Sequence, residues 1–126
     1  MQTNLKLDLI IHFVANPLES AHFYKQLFSQ EPIEQSPTFA LFELPSGIQL
    51  GLWSNKTAEP TVINKPGGSE ICFKEENVDA VYEEWLKLDV SIAQPPTDMD
   101  FGRTFVALDP DGHRIRVYKL KEGNDA

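Results

Sequence analysis

One order of secondary-structure signals runs twice along this chain, and that repetition limits the fold more than any single motif does. In residues 5–14, β-branched and aromatic side chains predict a strand. Asn16 then offers a helix N-cap, Pro17 the first helical position and Glu19 the acidic residue three further on. The helix runs to about Ser29, with an apolar stripe of Leu18, Ala21, Tyr24, Leu27 and Phe28. Pro32 and Pro37 punctuate the segment after the helix, and residues 38–44 and 48–54 read as two strands around a turn at Pro45, Ser46 and Gly47.

The second pass has the same grammar. Residues 69–74 form a short strand, and Asn77 caps a helix whose stripe is Val78, Val81, Trp85 and Leu88. Residues 90–93 begin a strand that Pro95 and Pro96 break, and residues 101–108 and 113–120 make a hairpin turning at Asp109, Pro110, Asp111 and Gly112. The capping asparagines lie 61 residues apart and the turn prolines Pro45 and Pro110 lie 65 apart, so register repeats as well as order. Residues 55–68 hold Pro60, Pro66 and two glycines without an apolar period, which marks a connector. The expectation is an α+β fold of paired βαβββ modules, about 5–54 and 69–120, in a single domain spanning 1–126. A sheet buries one face under its helix, so the remaining faces are expected to join as curved mixed sheets around a cleft.

Composition narrows the partners. A chain of 126 residues with 41% hydrophobic and 24% charged side chains is long and apolar enough for one globular core. Eleven Lys and Arg against nineteen Asp and Glu give a net charge of −8, which repels nucleic acid and anionic membrane surfaces; neither is expected as a partner. Cys72 is the only cysteine, so no intramolecular disulfide forms, and its apolar neighbours Ile71 and Phe73 suggest a packed, inert thiol. A reducing cytoplasmic setting agrees with this. The N-terminal stretch has no basic start followed by a long apolar run, and no segment approaches the roughly 20 apolar residues of a membrane helix.

With these elements in place, the sequence resembles the vicinal oxygen chelate superfamily, the glyoxalase and bleomycin-resistance fold. The resemblance is carried by residues 16–24 (NPLESAHFY), by the second-module start at 68–85, and by the DPDG turn followed by RIRVY. Within the superfamily the chain is most similar to the phenazine antibiotic resistance proteins, through the segment around Trp53, GSEI at 68–71, and the run from Asp98 to Val117. Metal enzymes of this fold set one ligand on the first and one on the last strand of each module. The resemblance carries those four places onto Leu9, Gly51, Glu70 and Arg116. Three of the four offer no ligand for a divalent metal, and His12, His22 and His113 show no HxH or HxxxH spacing. No metal and no cofactor is expected.

Side chains alternate along a strand, so the resemblance also anchors which of them face the cleft. If Gly51 faces it, so do Gln49 and Trp53, while Leu50 and Leu52 lie under the helix. The same parity brings in Leu7, Leu9, Ile11 and Phe13, then Glu70, Cys72, Arg114, Arg116 and Tyr118, and turns His12 toward the helix. Trp53 is either a rim residue over core or a stacking platform. Gly51 either weakens its strand or gives a flat ring room to approach. Phe101 is either core or, with Gly102 and Arg103, a cover over the cleft. Arg116 either pairs with Glu70 or meets a ligand, and Arg103 is the other guanidinium offered to a ligand carboxylate. The expected ligand-binding set is Trp53, Gly51, Phe101, Arg103, Arg116, Tyr118, Glu70 and Phe13, with no catalytic residue among them. Nucleophile and base pairs with a recognisable setting are missing, and Glu70 beside an arginine is a poor proton carrier. The function these residues suggest is sequestration of a planar aromatic small molecule, carboxylated in one version, by a homodimer with sites between chains. The alternative is a lyase, isomerase or dioxygenase of the same superfamily.

Overall fold

The structure, a computed structural model, describes residues 5–122; residues 1–4 and 123–126, the ends of the expected 1–126 domain, lie outside the described residues. Ten elements succeed one another in chain order: β1 (Leu9–Val14), α1 (Pro17–Phe28), β2 (Glu34–Gln35), β3 (Phe39–Glu43), β4 (Gln49–Ser54), β5 (Glu70–Lys74), α2 (Val78–Lys87), β6 (Ser91–Met99), β7 (Gly102–Leu108) and β8 (Arg114–Leu120). The order is βαβββ twice. One four-stranded sheet runs β1-β4-β3-β2 and the other β5-β8-β7-β6, each with one parallel pair, β1 with β4 and β5 with β8, and the rest antiparallel. The chain divides into two compact units between Asn64 and Lys65. Among the described residues no helix is long and apolar enough to cross a membrane.

In the first unit the Asn16 side chain accepts hydrogen bonds from the Leu18 and Glu19 amides at 3.1 and 3.2 Å, which satisfies donors that a helix start leaves unpaired. Ser29 ends α1 in the left-handed conformation at φ 50°. The buried stripe is Pro17, Ser20, Ala21, Tyr24 and Leu27. Leu18, expected in the stripe, is 42% exposed, because at about 100° per residue it lies off the face that Pro17, Ser20, Ala21, Tyr24 and Leu27 share. Tyr24 and Phe28 set their rings against Phe42 of β3, the latter edge-on at 5.6 Å between centroids. Strand β1 begins at Leu9 rather than Leu5, and Leu5 and Leu7 are exposed.

The second unit repeats this arrangement. Asn77 accepts from the Ala80 amide at 3.0 Å, and α2 lays Trp85 and Tyr82 edge-on against Phe105 of β7 at 5.3 and 5.4 Å. Phe105 is fully buried, and removing a ring of that size from water contributes about 2 to 3 kcal/mol. Leu88 lies at the helix C-cap and is exposed. The strand expected to break at Pro95 and Pro96 instead runs on to Met99. It is an edge strand, and its register slips between Ile92 and Gln94 and again between Gln94 and Thr97, so the prolines sit where no ladder donor is required. At the other end of the hairpin Gly102 has φ 150°, and a Cβ there would lie 2.0 Å from the Lys119 carbonyl oxygen; only glycine lets the two backbones approach so closely.

Candidate functional site

Two sheet faces, one in each unit, carry most of the residues singled out from sequence. In the first unit, register places Leu9, Ile11 and Phe13 opposite Gln49, Gly51 and Trp53, and Phe39 and Leu41 opposite Trp53 and Gly51. All of these share the face turned away from α1. The other face, with Val14, Ala40, Phe42, Leu50 and Leu52, is buried under the helix, and His12 lies on that side as alternation requires. The open face is thus mainly apolar and aromatic, with Gln49, Glu43 and Glu34 on the same side. Phe13 and Trp53 stand 6.1 Å apart with their rings tilted by 37°, and both are half-buried.

The space expected above Gly51 is taken by a neighbour from the same sheet. A Cβ at Gly51 would lie 3.0 Å from Cζ of Phe39 and 3.4 Å from Cγ1 of Ile11. Gly51 therefore seats the Phe39 ring across the strands, and Phe39 joins Phe13 and Trp53 as the third aromatic of the face. Sequence reasoning leaves Phe39 out of the expected site. The signal that could find it is the short turn after Leu44, which fixes the register of β3 on β4.

In the second unit, Glu70, Cys72 and Lys74 of β5 lie opposite Arg114, Arg116 and Tyr118 of β8, and Thr104 of β7 lies opposite Tyr118. These side chains share the face turned away from Phe105, Ile115 and Val117. Arg116 Nε donates to Glu70 Oε1 at 2.5 Å, and an Nη1 hydrogen goes to the Thr104 hydroxyl at 3.1 Å, which in turn donates to the Val117 carbonyl at 2.8 Å. The guanidinium also lies over the Phe101 ring at 6.0 Å, at the outer limit of a cation–π contact. Arg114 Nε is 2.9 Å from Glu70 Oε2, but its N–H is not aimed at that oxygen, so the contact is an ion pair without an aligned hydrogen bond. One carboxylate thus serves two guanidiniums.

The electrostatics come from this sharing. The hydrogen bond from Arg116 holds the Glu70 carboxyl below the usual carboxylate range, with the charges of Arg116 and Arg114 adding to it against the opposing effect of burial. Cys72, expected as a packed thiol, is exposed on this face; desolvation and the neighbouring Glu70 charge raise its pKa, which keeps it protonated and poorly nucleophilic. Arg103 does not join the group. It pairs with Lys119 across the ladder, one residue out of phase with Arg116, and so lies on the helix side, held by Asp79 at 3.0 Å and Asp98 at 3.0 Å. The DPDG turn is set by Asp109, whose Oδ1 accepts from the Asp111 and His113 amides at 2.9 and 2.8 Å.

A divalent metal at the four places implied by the resemblance would find little to bind. Leu9 and Gly51 have no donor atom in their side chains, Arg116 is cationic, and both Glu70 oxygens already face guanidinium nitrogens.

The sequence matches the Glyoxalase/Bleomycin resistance protein/Dioxygenase superfamily over residues 6–117, and the chain belongs to that family. Among curated proteins it is similar to the phenazine antibiotic resistance protein EhpR of Enterobacter agglomerans, 36% identical over 120 residues that span 90% of this chain and 91% of that protein. Among solved structures, protein ATC0852 from Agrobacterium tumefaciens is 45% identical with a TM-score of 0.84, covering 93% of this chain and 98% of its own. A glyoxalase/bleomycin resistance protein/dioxygenase from Nocardioides shares the fold at a TM-score of 0.82 and 21% identity, over 98% of this chain and 88% of that one.

Proposed function

We propose that this protein binds and sequesters a planar aromatic compound of the phenazine type without converting it. The observation that carries the reading is the aromatic face of the first sheet, where Phe13, Phe39 and Trp53 surround Gly51 on an apolar ground. Such a surface supplies stacking area, the main requirement for holding a fused ring system. The similarity to a phenazine resistance protein supports the same ligand class. Arg116, rather than Arg103, is the guanidinium offered to a carboxylate on the ligand, since Arg103 is engaged by Asp79 and Asp98. Phe101 and Tyr118 line the Arg116 side, and Glu70 fixes that side chain in place. A carboxylate kept ionised between two guanidiniums is badly tuned for proton transfer at neutral pH, which favours binding over general acid–base chemistry. The assembly in this reading is a cytoplasmic homodimer with two sites formed between the chains.

Titration with phenazine-1-carboxylate, monitored by tryptophan fluorescence, tests the reading. Saturable quenching is expected in the wild type. In Trp53→Ala the residual emission of buried Trp85 should not respond, and calorimetry should show binding weakened by about 1 to 3 kcal/mol. Absence of quenching up to about 1 mM ligand would overturn it.

A further inference from the structure

On the open face of the first sheet, Phe39 and Trp53 stand directly opposite each other in the antiparallel pairing of β3 with β4, while Gly51 faces Leu41 on one side and Ile11 on the other. Side chains paired in this way ordinarily meet, with Cβ atoms about 4.5 to 5.5 Å apart. The Phe39 ring reaches along the diagonal to Gly51. Its Cζ and Cε1 lie 3.0 and 3.1 Å from the place that a Cβ at Gly51 would take, and Ile11 Cγ1 lies 3.4 Å from the same place. Trp53 has Phe13 of the adjacent β1 as a ring neighbour, at 6.1 Å between centroids. Gly51 has an extended backbone without positive φ, so its conformation does not call for glycine. A glycine inside a strand weakens the strand, and what this one provides in return is the seat of the Phe39 ring.

We propose that Phe39 is the specificity-determining residue of the aromatic face and that Gly51 is a positioning residue acting through it. This role rests on the proposed binding function and names the side chain that sets its selectivity. The Phe39 ring fills the hollow that the glycine would otherwise leave between Ile11 and Leu41, and carries its far edge toward Gly51 rather than Trp53. The face therefore has a floor without a recess. A fused ring system lying in one plane can touch Trp53 and Phe39 together. One with a group standing out of its plane is held off that floor, and a gap of about 0.5 to 1 Å already forfeits a quarter to a half of the dispersion attraction. Selection is by shape, and the charge of the ligand has no part in it.

The test compares acridine-4-carboxylate with 9-phenylacridine-4-carboxylate by equilibrium dialysis. The two share their fused rings and their carboxylate, and differ in a phenyl group that stands across the acridine plane. The wild type should prefer the planar compound by about tenfold or more, the discrimination that a close-fitting apolar site reaches. Phe39→Ala opens a recess over Gly51 and should shrink that ratio to below about threefold. Gly51→Val, whose β-branched side chain suits a strand, displaces the Phe39 ring and should weaken the planar ligand by about fivefold or more, and adding Phe39→Ala to it should recover most of that loss. A ratio unchanged in Phe39→Ala, or a Gly51→Val loss that is the same with and without Phe39, overturns the proposal while the planar ligand still binds. If neither acridine-4-carboxylate nor phenazine-1-carboxylate binds, the proposed function fails and this selectivity with it. Acrylamide quenching of Trp53 in the ligand-free protein then decides whether Gly51 positions Phe39, since Trp85 is buried and responds little. Gly51→Val should reduce the quenching as the displaced ring moves toward Trp53, and equal quenching in wild type and Gly51→Val would overturn the positioning role.

Discussion

Glu70 stands at one of the four places that the resemblance assigns to metal ligands, and in this chain it turns its oxygens toward arginine. Its carboxyl is held below the ordinary glutamate value of about 4.3 by the Arg116 hydrogen bond, so it favours the folded state whenever it is ionised. The sign is that of a depressed acid: the contribution is complete above about pH 5 and fades as the pH falls through the folded-state value. The stability difference between wild type and Glu70→Gln, measured by urea unfolding, should therefore stay constant from about pH 5 to 8 and narrow below about pH 4. A difference that changes between pH 5 and 8 would contradict the assignment. The Glu70–Arg116 pair is legible in the sequence because both positions come from one resemblance and one strand parity. Phe39 is not, since its approach to Gly51 depends on the β3 register. Sequence misplaces Arg103 for a simpler reason: the hairpin that pairs Leu108 with Arg114 puts residue 103 out of phase with residue 116.

At the level of elements, local chemistry speaks most clearly at the helix starts and the tight turns. Asn16 and Asn77 both cap as their neighbours imply, and Gly47 and Gly112 take positive φ in the turns where Pro45 and Pro110 announce them. Strand ends are harder to read. The two-residue β2 carries too little pattern to be seen, and β6 continues through two prolines only because its edge position and its bulges remove the ladder's demand for their amides. The β7–β8 hairpin has little tolerance at Gly102. Gly102→Ala would push a methyl group against the Lys119 carbonyl and impose a φ that alanine resists, and it should cost at least about 2 kcal/mol in chemical denaturation. Loss of less than about 0.5 kcal/mol would mean that the two backbones can part without consequence. Gly112→Ala serves as a comparison, since it meets no neighbour and suffers from φ alone.

For the molecule as a whole, the internal repeat makes two units of one topology, and the substitutions between them divide the chemistry. The first unit leaves a mainly apolar and aromatic face away from its helix, with Glu34 and Glu43 on the same side, and the second leaves a polar face with excess positive charge. A net charge of −8 argues against nucleic acid as a partner, but it says nothing of this local reversal, which emerges only when alternation is traced strand by strand. The four places that the resemblance assigns to metal ligands are occupied here by an aliphatic chain, a glycine, a bridged carboxylate and a guanidinium. These occupants suit the proposed retention of a ligand better than its conversion. The most direct test is to incubate phenazine-1-carboxylate with a stoichiometric amount of the protein, separate free from bound ligand, denature the protein and analyse the released compound. A sequestering protein should deplete free ligand in proportion to its sites and release the ligand chemically unchanged. Undiminished free ligand, or a chemically altered product, would contradict sequestration.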